Sequence, residues 1–110
     1  MAEIIGREEV RKRIENGATV LEALPAQYFE DKHLPGAHCF PLDDVDRLAG
    51  TLLTDKDADI IVYCSDSTCP NSGIAADRLV ELGYTNVHKY EDGKKDWVEA
   101  GLPTESGPRA

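Results

Sequence analysis

The chain has 110 residues, the length of one domain, and is large enough to bury about two thirds of its unfolded surface without disulfide or metal staples. With 41% hydrophobic and 30% charged residues its composition excludes a disordered chain, and no apolar run approaches the length that spans a bilayer. A formal charge of −9, from 21 acidic and 12 basic side chains, repels polyanions and makes nucleic acid and acidic membranes poor expected partners.

From the N-terminus, charged residues (Glu3, Arg7, Glu8, Glu9, Arg11, Lys12, Arg13) occupy the place where a secretory leader carries its apolar core, so a cytoplasmic location is expected. Arg7 to Asn16 reads as a helix, with Val10 and Ile14 on one face and Gly17 as its stop. Ala18 to Leu21 is a short buried strand. Pro25 opens a helical turn through Lys32 in which Tyr28 and Phe29 pack, and His33 to Ala37 is a turn whose imidazole satisfies backbone groups. His38 to Phe40 is a further short strand. Pro41 to Ala49 reads as a weak helix stopped by Gly50, and Thr54 to Asp59 as a polar linker.

Asp59 to Cys64 holds the most continuous apolar run, the mark of a central strand covered on both faces. Asn71 to Leu82 is the clearest helix, with Asn71 or Ser72 as cap, Ile74, Leu79 and Leu82 as the packing stripe and Gly83 as the stop. Asn86 to Tyr90 is a strand, Asp92-Gly93 a turn, and Lys94 to Ala100 a closing helix with Trp97 and Val98 inward. Residues 1–104 form a single domain; residues 105–110 have nothing to bury and are expected to fray. Strands alternating with helices at these lengths mean an α/β fold with a mostly parallel sheet.

Three cysteines, an odd number, point to a functional or buried thiol rather than a disulfide framework. Cys64 stands at the end of the apolar strand and faces a loop that closes on a helix N-terminus, a field that favours thiolate. Position alone leaves a reactive thiol and a buried core thiol both open. A C-x₄-C pair formed with Cys69 suits zinc poorly, because His33, His38 and His88 are scattered and no second pair completes four ligands; neither metal nor cofactor is expected.

The turn HLPGA at 33–37 followed by Pro41, the strand IVYC at 61–64, and LGYTNV with DGKKDWVEAGLP near the C-terminus together resemble the rhodanese-like sulfurtransferase domains over nearly the whole chain. The resemblance implies a three-layer sandwich, a mostly parallel five-stranded sheet flanked by helices, with Cys64 carrying a persulfide. The usual loop of that family, C-x-x-G-x-R, is altered here: the arginine position is Cys69, the glycine position is Ser67, and the loop is longer. The family's D-V-R segment becomes Glu22 and Leu24, and its paired glycines become Asp92-Gly93.

The expected function is sulfane-sulfur transfer through a Cys64 persulfide, between a sulfur donor and a thiol acceptor that are free or protein-bound. The amides and side chains of Ser65, Asp66, Ser67, Thr68, Pro70 and Asn71 form the binding cradle. Cys69 either resolves a Cys64 persulfide or sulfenate into an internal disulfide, or merely fills the arginine's place. With no basic residue between Asp59 and Gly73 and with Asp66 near the mouth, thiosulfate is a doubtful substrate, and a phosphatase of the C-x₅-R type is disfavoured. Lys94-Lys95 is either a solvated helix start or a source of positive charge for the pocket; Glu22, which the resemblance puts near a strand end, either hydrogen-bonds a loop amide or, as the favoured reading, is a solvated carboxylate. The alternative function is a catalytically idle module for protein binding or for redox sensing through a Cys64/Cys69 disulfide.

Overall fold

The computed structural model describes residues 2–108. Its order is β1 (Glu3–Ile5), α1 (Arg7–Glu15), β2 (Thr19–Glu22), α2 (Ala26–Asp31), β3 (His38–Cys39), a 3-10 turn (Leu42–Asp44), α3 (Val45–Leu52), β4 (Ile60–Tyr63), α4 (Asn71–Glu81), β5 (Val87–Tyr90) and α5 (Gly93–Glu99). The five strands form one parallel sheet in the order β1-β5-β4-β2-β3, so β4 lies at its centre. All four β4 residues are buried, and they alternate faces as a pleated strand requires. Ile60 and Val62 pack with Val45, Ala49, Ala75, Ala76 and Leu79 of α3 and α4, whereas Ile61 and Tyr63 pack with Val10, Phe29 and Trp97 of α1, α2 and α5. The result is the expected α/β sandwich with helices on both faces.

Several elements depart from the sequence pattern for identifiable reasons. Glu3–Ile5, too short and too charged at its start to read as a strand, completes the sheet by pairing with β5. The helix expected to stop at Gly50 begins later, after the 3-10 turn, and continues to Leu52. Its last carbonyls are taken by the Tyr84 hydroxyl, which donates to the Ala49 and Leu53 oxygens at 3.2 and 2.6 Å, so a mid-helix glycine that costs about 1 kcal/mol is tolerated. On α4 the buried positions are Ser72, Ala75, Ala76 and Leu79, a spacing of three and four, while Ile74 is exposed. The small alanines let α4 approach the sheet closely, and this rotates the larger Ile74 outward. Trp97 is buried and donates from Nε1 to the Pro103 oxygen at 2.8 Å, but its neighbour Val98 faces outward.

Of the segment 105–110, expected to fray, residues 105–107 are tied down instead. Glu105 exchanges two backbone hydrogen bonds with His33, both 2.8 Å, its carboxylate accepts from the Gly36 amide at 2.9 Å, and the Gly107 amide donates to Glu30 O at 2.8 Å. His33 is buried, its Nδ1 donates to the Phe29 carbonyl at 2.7 Å, and its ring stacks on Phe29, so the turn around it has the structural role the sequence suggested. Residues 109 and 110 lie outside the described residues.

Parallel sheets place their sites at the carboxyl ends of the strands, where successive connections diverge. Here β2 leads to its neighbour β3 on one side and β4 leads to β5 on the other, so the loops after β2 and β4 part company between the two strands. The β4 loop is then clamped by α5: the Lys94 amide donates to Cys64 O at 2.9 Å and the Lys95 amide to Ser65 O at 2.8 Å. Gly93 makes this approach possible, because its φ is +68° and an added Cβ would sit 2.6 Å from Cys64 O.

Gly93→Ala should therefore lower stability by about 2–4 kcal/mol, the sum of a left-handed alanine and a forced backbone shift, as read from denaturant midpoints. Deleting residues 104–110 should cost about 2 kcal/mol through the lost backbone bonds to His33, a fall of roughly 10 °C in Tm. An unchanged Tm in the truncated chain would show that the strap adds nothing.

Candidate functional site

Cys64 follows β4 directly and is 1% exposed. Its sulfur is joined to Cys69 in a disulfide across a Cα–Cα distance of 6.3 Å, inside the range that a bridge requires. Because Cys69 lies only two residues before α4, the bond also holds the Cys64 sulfur beside the N-terminus of an eleven-residue helix. The Cys64 side is buried and fastened by α5, whereas Cys69 is only half-buried. Ser65 Oγ lies 3.9 Å from Cys64 Sγ, and as the bridged sulfur has no proton, the hydroxyl is the donor.

The remaining loop residues divide between two sides. Asp66 builds the turn: its Oδ1 accepts from the Thr68 amide at 3.0 Å and the Thr68 hydroxyl at 2.6 Å, and its carbonyl accepts from the Cys69 amide at 3.2 Å. Those bonds hold the Asp66 carboxyl below the usual carboxylate range, so it carries full charge at the loop's tip. They also take the amides of Thr68 and Cys69, while Pro70 has none, so the cradle expected from Ser65 to Asn71 is narrower than the sequence suggested. Ser67 and Thr68 are exposed and border a shallow depression with Asp92 and Glu99. Neither Asn71 nor Ser72 caps α4 with its side chain; Asn71 Nδ2 instead donates to Ala23 O at 3.0 Å, tying the β2 loop to the β4 loop.

Glu22 was expected in solvent and is instead completely buried. Across the sheet it stands in register with Cys39 on one side and Tyr63 on the other. The Tyr63 hydroxyl donates to Glu22 Oε1 at 2.6 Å and accepts from the Leu34 amide at 3.1 Å. Lys94 Nζ donates to Glu22 at 3.1 Å and to the Tyr28 carbonyl at 3.0 Å. Burial pushes the Glu22 carboxyl up from its ordinary range, against the Tyr63 hydroxyl and Lys94, which favour its charge. Burial and the Glu22 charge also raise the Tyr63 hydroxyl and the Cys39 thiol, which stay protonated. Lys94 is therefore neither a solvated helix start nor a free charge for the pocket.

Missed in the sequence were this Glu22–Tyr63–Lys94 network and the packing role of Gly93. A lysine one residue after a glycine turn was the available signal. Beside the network opens a cleft of about 360 Å³ lined by Leu24, Tyr28, Lys32, Ser65, Lys94 and Val98 among others. Among the described residues no group of three or more His, Cys, Asp and Glu gathers to hold a metal ion, and no helix is long and apolar enough to cross a membrane.

Comparison with known proteins agrees with this architecture. The family model described as "Rhodanese-like domain" matches residues 6–100. The chain is 34% identical over 105 residues to the HTH-type transcriptional regulator Rv0324 of Mycobacterium tuberculosis, covering 94% of this chain but 45% of that protein. It is 37% identical over 73 residues to the thiosulfate sulfurtransferase PspE of Escherichia coli, covering 66% of each. Among solved structures, the rhodanese-like domain of the Anabaena Alr3790 protein superposes with a TM-score of 0.80 at 29% identity, over 96% of this chain and 80% of that one. A structure described as "rhodanese with anions from E. coli" superposes at 0.66 and 29% identity, over 83% of this chain and all of that one. On the family match and the shared five-stranded sheet together, the chain belongs to the rhodanese-like domain family.

Proposed function

We propose that the domain carries sulfane sulfur as a persulfide on Cys64 and that Cys69 is its resolving thiol. The observation that carries this reading is the Cys64–Cys69 bridge at the carboxyl end of β4. In the reduced state the Cys64 thiolate, beside the α4 N-terminus, attacks the sulfane sulfur of a donor, the donor's bond to that sulfur breaks with its electron pair leaving on the donor thiolate, and the atom is held as the Cys64 persulfide. The outer sulfur then passes to an external thiol, or the Cys69 thiolate attacks the inner sulfur, closing the disulfide and releasing the outer atom as hydrogen sulfide. In the second route the sulfane sulfur gains two electrons and the two cysteines lose them, so the balance closes without a cofactor.

The charge pattern bears on the donor. Lys94 is committed to Glu22, and in the adjoining cleft Lys32 and Lys95 are set against Asp31 and Asp66, so a dianion meets only partial compensation. An organic persulfide, with at most one charge on its sulfur, or a protein-bound sulfur suits the site better than thiosulfate. That separates this chain's proposed chemistry from the thiosulfate sulfurtransferase activity for which PspE is named.

A second reading, a redox-sensing or binding module with no sulfur turnover, draws on the same bridge and on the regulator among the relatives. Loading the reduced protein with an organic persulfide such as cysteamine persulfide distinguishes them. Wild type should gain one sulfur, release it to cyanide, and on standing lose two protons with evolution of sulfide, while Cys64→Ser should not load. In Cys69→Ser the persulfide should persist on the order of tenfold longer, because the internal attacker is gone. No loading from any donor, with disulfide formation intact, would leave the redox module standing. Replacing the organic persulfide by equimolar thiosulfate should reduce the loading rate by about tenfold or more, because the dianion lacks a charge-assisted contact of the strength it needs.

A further inference from the structure

The bridge joins two cysteines in unequal surroundings. Cys64 is 1% exposed, covered by the strand end, the α5 clamp and its own loop. Cys69 is half-buried on the outer arm, held by the Asp66 turn rather than by tertiary packing of the loop's tip. Thiol–disulfide exchange requires the attacking sulfur to approach along the line of the bond it breaks, from the side opposite the leaving sulfur. An attacker of Cys64 would have to enter through the packed end of β4. An attacker of Cys69 comes from the side of the loop.

Leaving-group chemistry points the same way. The sulfur that departs as thiolate is the one not attacked, and the better departing thiolate is the one with the lower pKa. Attack on Cys69 makes Cys64 the leaving group, within reach of the Ser65 hydroxyl at 3.9 Å, whereas the α4 N-terminus lies beside both sulfurs and favours neither. Attack on Cys64 would expel the Cys69 thiolate beside the charged Asp66, whose carbonyl already holds the Cys69 amide.

We infer that the oxidised domain is reopened by an external dithiol that bonds covalently to Cys69, and that Cys64 is returned directly as the free thiolate. This rests on the disulfide-forming chemistry proposed above and names the partner class and the atom for its reversal. In the first step a partner thiolate forms a bond to Cys69 Sγ, the Cys64–Cys69 bond breaks, and its electron pair leaves on Cys64. In the second, the partner's other thiolate attacks the partner sulfur of the mixed disulfide, expels Cys69 as thiolate and closes the partner's own disulfide. Two electrons pass from dithiol to protein, and the two protons of the dithiol go to the released cysteines or to solvent. A consequence is order: the covered Cys64 accepts sulfur only after this reduction, so reductant acts before donor in each cycle.

The trapping experiment uses wild-type protein oxidised with mild peroxide and cysteamine as the thiol. Its positive charge suits the acidic loop, and as a monothiol it stalls at the mixed disulfide. After brief exposure, free thiols are blocked with N-ethylmaleimide under mildly acidic conditions, and the chain is cleaved before its aspartates. Cleavage at Asp66 separates Cys64, in residues 59–65, from Cys69, in residues 66–76, and Cys39 falls in residues 31–42. Cysteamine on Cys69 with maleimide on Cys64 should exceed the reverse by about ten to one. Equal distribution, or cysteamine mainly on Cys64, overturns the inference while leaving the proposed function intact. A protein that never loses two protons on oxidation overturns both.

Discussion

The clamp between the start of α5 and the end of β4 is the constraint on which the site depends. Two α5 amides bond the carbonyls of Cys64 and Ser65, and they reach them because Gly93 brings backbone against backbone with no side chain between. The same helix turn places Lys94 over the buried Glu22, which cannot be left alone at this depth without a cost of several kcal/mol. Glu22 in turn receives the Tyr63 hydroxyl, and Tyr63 receives the Leu34 amide. One charged contact thus joins β2, β4, α5, the α2 carbonyl of Tyr28 and the turn that follows α2. The strand end that presents Cys64 is rigid because all of these must move together for it to move.

The other half of the loop has no comparable support. Asp66 organises it through bonds to residues two and three positions on, and Asn71 ties its far end to the β2 loop. A segment held mainly by local bonds opens at lower free energy than one locked into the core. The bridge therefore couples a fixed sulfur to a yielding one. On the proposed chemistry this asymmetry suits a persulfide carrier, because parting Cys69 from Cys64 asks for movement of the locally held arm and not of the sheet.

Much of this was legible in the sequence. The apolar run of Ile60 to Tyr63, the helix of Asn71 to Glu81 and the alternation of strands with helices follow from periodicity, and each has its place in the parallel sheet. Cys64 at the strand's end and Cys69 before the helix were visible from spacing. The elements that escaped are those decided by tertiary contacts. Glu3–Ile5 becomes a strand only because β5 has an open edge, and Gly50 stays helical because Tyr84, more than thirty residues away, takes the last carbonyls. Ile74 turns outward because two alanines pack more closely than it can. Glu22 reads as a surface carboxylate until Lys94 and Tyr63 arrive from other strands and helices to meet it. Likewise, the strap at Glu105 exists only because His33 presents an unpaired backbone edge.

The replacement of an arginine by a cysteine at the loop's close changes more than charge. A guanidinium in that position binds a dianion and leaves the persulfide on the cysteine until an acceptor arrives. A thiol in that position offers an anion no charge, and on the proposed chemistry it attacks the persulfide itself, so that any sulfur not handed on promptly is discharged as sulfide. The effective concentration of Cys69 at Cys64 is set by a loop whose Cα atoms already stand 6.3 Å apart, close enough that an external acceptor must be abundant or docked to compete. Sulfur transfer and disulfide formation are then two exits from one intermediate. On that proposal, which exit prevails depends on whether an acceptor meets the persulfide before Cys69 closes on it, so that the loop would convert acceptor availability into the redox state of the domain.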